Sequence, residues 1–455
     1  MLTELHLRNF KSWSDTGSIK LRPLTCFFGS NSSGKTSLIQ SILLLKQTAE
    51  SADRTAVLQF GGPGSFVNLG DFVSVVTSHD LAKEVSIGSV WTLDKQLSLE
   101  DASSNAGPPL AQGKEMHFSA TVRAANGQGK GLRLEVISLE YQVGGQSFGM
   151  NKKSKRDEYD LVASGAGGFQ FKRVQGRPWP LPAPTKCYGF PDQVRAYYQN
   201  AGFLADIELE LENQLRKVYY LGPLRAYPER SYSWGGGQPH DMGRTGELAV
   251  DAILAARDRG ILISPGFKKK KVRFEEYVAR WLKSIGLIES FSIQAVAADS
   301  QIYQVRVRKS AGAPEVLITD VGFGVSQILP VIVLALYVPE GSTIILEQPE
   351  IHLHPSVQAG LADFLIDATK NRKIQVIVES HSEHFLRRIQ RRVAEKVIEP
   401  DQTSLYFCTA DAGISAIHPL NLNLFGMIEN WPKDFFGDLL GEVVATQRAG
   451  REARP

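Results

Sequence analysis

The stretch LTCFFGSNSSGKTSLIQSILLL, residues 24–45, sets an apolar run, a turn rich in glycine and serine, and an amphipathic segment in immediate succession. Strand, then Gly29-Ser30-Asn31-Ser32-Ser33-Gly34-Lys35-Thr36, then a helical pattern from Ser37 onward, is the local context that a Walker A phosphate loop requires. The glycines let the backbone curl so that successive N–H groups face a β- and γ-phosphate, and the helix start adds its positive dipole. Lys35 is expected to reach the terminal phosphates and the Thr36 hydroxyl to ligate Mg²⁺. The expected cofactors are therefore ATP and Mg²⁺, bound along residues Gly29 to Ser37.

A second marker lies far downstream. In TIILEQPEIHLHP, residues 343–355, the apolar run Ile344-Ile345-Leu346 ends on Glu347, which Gln348 and Pro349 follow. Most P-loop enzymes carry their second acid much sooner, so a long insertion is expected to split one nucleotide fold into two halves.

The segment LHLRNFKSW (residues 5–13), taken with these split motifs, resembles the RecF, SMC and OLD branch of the ABC-type ATPases. That resemblance implies that Asn9, Phe10 and Lys11 lie near the nucleotide. It also gives DVGFGVSQILPVIVLAL (residues 320–336) the place of the ABC signature, a glycine-rich turn opening an apolar helix. By the same resemblance Gly324, Val325, Ser326 and Gln327 contact the γ-phosphate held by another copy, so that ATP sits between two protomers. In KIQVIVESHSEHFLRRI, His381 matches the switch histidine of these ATPases. YYLGPLRAYPERSY and GRTGE look like blocks of small OLD-like ATPases from bacterial defence loci; their Arg225 and Arg244 suit either a phosphate contact or a structural ion pair. In the tail NWPKDFFGDLLGE, Trp431, Phe435 and Phe436 read as a packed anchor.

The family pattern is an Asp that organises Mg²⁺, then a catalytic Glu, then Pro. Laid on that pattern, Pro349 puts Glu347 at the metal position and Gln348 at the base position. An amide accepts no proton near neutral pH, and losing a general base costs about 10²–10⁴ in rate, so slow turnover is expected. A glutamine can still orient water. Glu350 has two readings: a carboxylate that replaces the base, or a helix-start acid before His352-Leu353-His354-Pro355. His352 and His354 lack a third convincing ligand for zinc and read as loop residues.

The fold class expected is α/β, an ABC-type P-loop ATPase head with a split core, a β-rich insertion and a helical lobe. A chain of 455 residues has room for several such units. We place the N-terminal half of the core at 1–80, the β-rich insertion at 81–187, the helical lobe at 188–288 and the C-terminal half at 289–455. No heptad pattern persists, which argues against the coiled-coil arm of SMC proteins. Three scattered cysteines, no long apolar run and a strand-like N-terminus point to a cytoplasmic protein without a membrane span or signal peptide.

The net charge of +3 is nearly balanced, so any contact with DNA falls to the local clusters GFKKKKVRF and NKKSKRDEYD. Only a few tens of residues follow the last core strands, too few for a Toprim nuclease domain. The resemblance thus suggests an ATP-gated sensor or scaffold, self-associating around nucleotide and controlling a separate effector such as a nuclease in antiphage defence. The alternative is a RecF-like repair ATPase that binds DNA directly. A transporter subunit fits less well, since LSGGQ is missing.

Overall fold

Alternating apolar and polar side chains make residues 2–10 a strand, β1 (Leu2–Phe10), with Leu2, Leu5, Leu7 and Phe10 buried. The computed structural model describes residues 1–432 except 102–108, 127–131, 155–156, 166–167, 177–178 and 267, together with Phe435, Ala445, Thr446 and Ala449. The longer elements continue with β2 (Leu24–Gly29), α1 (Lys35–Glu50), β3 (Val85–Leu99), β4 (Ala111–Asn126), β5 (Leu132–Val143), β6 (Gln146–Lys152) and β7 (Tyr159–Gly165). Next come α2 (Leu204–Arg216), β8 (Val218–Leu221), α3 (Ala249–Asp258), α4 (Phe274–Ser284), β9 (Ser290–Ala295) and β10 (Ile302–Arg308). The last part holds α5 (Gly324–Tyr337), β11 (Thr343–Glu347), α6 (Pro355–Asn371), β12 (Gln375–Glu379), α7 (Glu383–Ala394), β13 (Thr403–Asp411) and β14 (Ile414–Pro419).

A six-stranded sheet runs in the order β8, β11, β12, β2, β13, β14. Its pairs are parallel except β13 with β14. β2, β11 and β12 are unbroken apolar runs because both faces of the sheet are covered. The period of two sends alternate residues to different cores. Leu24, Cys26, Phe28, Ile344, Leu346, Val376 and Val378 join helices α3 to α7 on one face. Phe27, Ile345 and Ile377 join α1, α2 and a second sheet on the other.

That second sheet is antiparallel and eight-stranded. It contains β1, β3 to β7 and the short strands Trp13–Asp15 and Ile19–Lys20. Because β3 pairs directly with β1, with Leu7 opposite Ile87, the β-rich stretch extends the N-terminal sheet rather than standing apart. The stretch read as a helical lobe also needs correcting, since it contributes β8 to the parallel sheet through the continuous apolar run VYYL. α5 is buried from Val325 to Leu336, and from Ile328 on it is apolar all round, as a fully buried helix requires. The parallel order places the carboxyl ends of β2, β11 and β12, and the loops that follow them, along one edge.

Candidate functional site: the phosphate loop and its acidic edge

Close contacts dictate the glycines at both ends of the loop. Gly29 has φ +142°, and a Cβ there would stand 2.2 Å from the Cys408 carbonyl oxygen. Gly34 has φ +88°, and its Cβ would stand 2.4 Å from Ser415 Oγ and 2.8 Å from Ser12 Oγ. The segment after β1 thus closes on the loop, with Trp13 Nε1 donating to the Gly34 carbonyl at 3.1 Å. Lys35 is buried; its ammonium donates to the carbonyl oxygens of Gly29 and Ser30 at 3.1 and 2.7 Å and to the Ser33 hydroxyl at 3.3 Å. Burial lowers its pKa, opposed by the Glu379 carboxylate. Ser30, Asn31 and Ser32 are exposed, Ser32 at φ +60°, while Thr36 and Ser37 are half-buried at the start of α1.

The hydroxyl of Thr36 lies 2.9 and 2.8 Å from the two carboxylate oxygens of Glu379. Glu379 ends β12, which lies between the phosphate-loop strand β2 and β11. Glu347 ends β11 opposite Glu379, and its Oε1 accepts from the Tyr220 hydroxyl at 3.1 Å. Thr36 and Glu347 are not in direct contact; Glu379, at the end of the strand between them, meets the Thr36 hydroxyl. The missed acid had a signal, because IQVIVE ends an apolar run on a carboxylate just as TIILE does. Burial, then the charge of Glu379, pushes Glu347 up to about 7. Burial also raises Glu379.

Beyond β11 the chain turns sharply. Gln348 adopts φ +43°, and its N–H donates to the Glu379 carbonyl at 2.8 Å. Left-handed backbone in a non-glycine residue costs on the order of 1–3 kcal/mol and concentrates at functional sites. The turn swings Glu350 inward, where it is 6 % exposed and its Oε1 accepts from the His381 N–H at 2.7 Å. Burial raises its pKa. His381 is half-buried, and burial followed by the nearby charge of Lys35 lowers its imidazole pKa, which favours the neutral ring. Gln348, Glu350, Gln358 and His381 line one open cavity of about 420 Å³.

A family model described as an AAA ATPase domain matches residues 1–106 and 257–386, just over half of the chain. The chain belongs to this ATPase family. Membership of this family supports nucleotide binding and ATPase activity. A second model, described as a protein of unknown function (DUF3696), matches residues 398–445 of the ATPase. No curated protein matches it. Among solved structures it is similar to the SMC head domain from Thermotoga maritima, at 13 % identity and TM-score 0.41, over 92 % of this chain and 99 % of that one. It is also similar to the Smc head domain with an extended coiled coil bound to the C-terminal domain of ScpA derived from Pyrococcus furiosus, at 9 % identity and TM-score 0.45, over 99 % of each chain. Neither likeness is close enough to carry a structural or functional argument.

The family implies Mg²⁺, and the ATPase can be tested for a fit. Among the described residues no group of three or more His, Cys, Asp or Glu could hold a metal ion. Mg²⁺ beside a nucleotide needs no such cage, because phosphate and water supply most of its ligands. Thr36 Oγ1 and the Glu379 carboxylate, already within hydrogen-bond distance, fit the remaining positions. His354 is engaged otherwise, its Nδ1 accepting from the Ser356 N–H as the cap of α6.

Other expected site residues lie elsewhere. Phe10 is fully buried in the core shared with α1, turned inward after the left-handed backbone at Asn9. Asn9 donates to the Glu84 carbonyl at 2.8 Å, and Lys11 Nζ donates to Gln40 of α1 at 2.6 Å. At the start of α5, Gly324 is half-buried while Val325, Ser326 and Gln327 are buried. The Ser326 hydroxyl donates to the Phe323 carbonyl at 2.9 Å, within the first turn of its own helix. Arg244 is exposed and donates to the Ser65 carbonyl at 3.3 Å. Phe435 stacks on Phe407 at 4.5 Å and packs against Phe28 and Trp431, while Phe436 lies outside the described residues. No helix among the described residues is long and apolar enough to cross a membrane.

Proposed function

We propose that this ATPase is a nucleotide-gated switch that binds ATP with Mg²⁺, hydrolyses it slowly and uses the bound state to control a separate effector protein. The observation that carries the reading is the pairing of an intact phosphate cradle with an amide at the base register. Lys35 and Thr36 are in place, yet Gln348 follows the strand-end acid. Thr36 and Glu379 would hold Mg²⁺, which would supply positive charge beside the phosphates. Neutral His381 donates to the terminal phosphoryl group, and Gln348 orients water. Glu350, made more basic by burial and aimed into the same cavity, accepts the proton that Gln348 cannot.

Residence time in the ATP state is then long, which suits a gate better than a motor. Two copies enclose the nucleotide, the backbone at the exposed Gly322 and Phe323 of one facing the phosphate held by the other. The effector we favour is a nuclease in antiphage defence, in line with the resemblance to OLD-like ATPases. Direct DNA binding is less favoured, because Lys152 is paired with Glu135 and Asp157, and Lys153 with Glu158 and Asp160. Steady-state turnover, light scattering with and without ATP, and co-purification with neighbouring gene products test the switch. Fast turnover in a monomer that recruits nothing rejects it.

A further inference from the structure

In the loop GPLRAY the usual surface pattern is inverted. Leu224 and Tyr227 are 72 % and 77 % exposed, whereas the charged Arg225 between them is only 7 % exposed. None of the three guanidinium nitrogens of Arg225 has a hydrogen-bond partner. Both flanks of the loop are pinned, Gly222 N–H donating to the Arg244 carbonyl and Ala226 N–H to the Thr245 carbonyl, each at 2.9 Å. Arg225 is thus held in place by a scaffold that leaves its charged end without a partner. Such burial is costly unless some state of the protein supplies a partner.

The partner stands on the same edge. Arg225 lies just past the end of β8, beside β11, where Leu221 pairs with Leu346. Burial lowers its pKa to about 10, while Tyr220, Glu347 and Glu350 favour its charged form. Of the two carboxylates, Glu347 is engaged by the Tyr220 hydroxyl. Glu350 has one oxygen on the His381 N–H, and its other oxygen, Oε2, is buried without a hydrogen-bond partner, with Ser380 beside the carboxyl group. An unpartnered cation and an unpartnered carboxylate oxygen, each within electrostatic reach of the other, are therefore buried near the cavity that Gln348 and His381 line.

We propose that Arg225 is a positioning residue for Glu350, its guanidinium taking Glu350 Oε2 when nucleotide closes the site and so fixing the carboxylate that replaces the missing base. The inference rests on the proposed role of Glu350. A planar guanidinium suits this task because it holds a carboxylate by direction as well as by charge. With Oε1 on the backbone of the histidine loop and Oε2 on the loop after β8, the carboxylate ties β8, β11 and β12 together at their functional ends.

A double-mutant cycle on the full chain tests it, reading kcat, KM for ATP and thermal stability for Arg225→Met, Arg225→Lys, Glu350→Gln and the double variants. Arg225→Met is expected to lower kcat about ten-fold or more in the parent and less than about two-fold beside Glu350→Gln, with KM unchanged. Arg225→Lys, which keeps the charge, restores part of the loss and is the variant read if Arg225→Met does not fold. Equal losses in both backgrounds, or a raised KM that indicates direct contact with phosphate, overturn the proposal. If the parent turns over no faster than Lys35→Ala, the ATPase reading itself fails, and that outcome is distinct from an additive cycle in an active parent.

Discussion

Thr36 and Glu379 are 343 residues apart in the chain, yet the threonine hydroxyl lies 2.9 and 2.8 Å from the two carboxylate oxygens. This contact joins the helix of the phosphate loop to the end of the neighbouring parallel strand. It brings together the oxygens that Mg²⁺ would need.

Glu379→Gln keeps the shape and removes the charge. Turnover should fall about 10- to 100-fold, the usual cost of losing an acid that supports a metal site. Titrating activity with Mg²⁺ checks this, since the variant should need more metal, and chelation should silence both proteins. An unchanged Mg²⁺ requirement would count against Glu379.

Lys35→Ala removes the ammonium that the loop carbonyls now hold. Affinity for a non-hydrolysable ATP analogue should drop more than about ten-fold by calorimetry, as expected for losing a charge-assisted phosphate contact. Stability should hold, because a buried charge leaves with the side chain.

Gln348→Glu and Glu350→Gln should move turnover in opposite directions. The first restores a proton acceptor and should raise kcat, by up to about 10²-fold, while the second should lower it by a comparable factor. Ordinary ABC rates in the parent, insensitive to Glu350→Gln, would sink this assignment.

Gly34→Ala meets two obstacles, a Cβ 2.4 Å from Ser415 Oγ and a backbone at φ +88°. A loss on the order of 1–3 kcal/mol is expected in denaturant unfolding. Removing the Ser12 and Ser415 hydroxyls should recover only the contact share, since the backbone share does not depend on neighbours.

The folded pKa of Glu347 is raised from the usual 4.5 to about 7, so the folded state binds this proton more tightly than the unfolded chain. Its contribution is complete below the unfolded value and is lost as pH rises through about 7. Nucleotide-free protein should therefore lose stability, on the order of 3 kcal/mol from this group, across that window. Glu347→Gln should flatten the loss only in part, because Glu208 is also raised by burial to about 7. Thermal melts across the pH range check the slope.

Local signals read well. The phosphate loop was legible because glycine, lysine and threonine at fixed spacing can curl around phosphate in only a few ways. Strands β2 and β11 were legible because continuous apolar runs are what a doubly covered parallel sheet requires. The register of Glu347, Gln348 and Pro349 came from laying their local order on the family pattern. The burial of Phe10 was not legible, because strict alternation from Leu5 and Leu7 points residue 9 inward, and the left-handed backbone at Asn9 changes the phase. The hydrogen bond of Ser326 was not legible, because a hydroxyl in the first turn of a helix can turn back on its own backbone or face outward.

By itself the amino-acid order determined the strand, glycine-rich turn and helix of the phosphate-loop segment, since those depend on neighbours a few positions apart. Only the folded arrangement decided that β12 lies between β2 and β11, and hence that Glu379 rather than Glu347 meets Thr36. It alone also turned Glu350 onto the His381 amide and buried Arg225 beside it. Pairing between distant strands is chosen by the joint packing of both faces of a sheet, and no single segment encodes that choice.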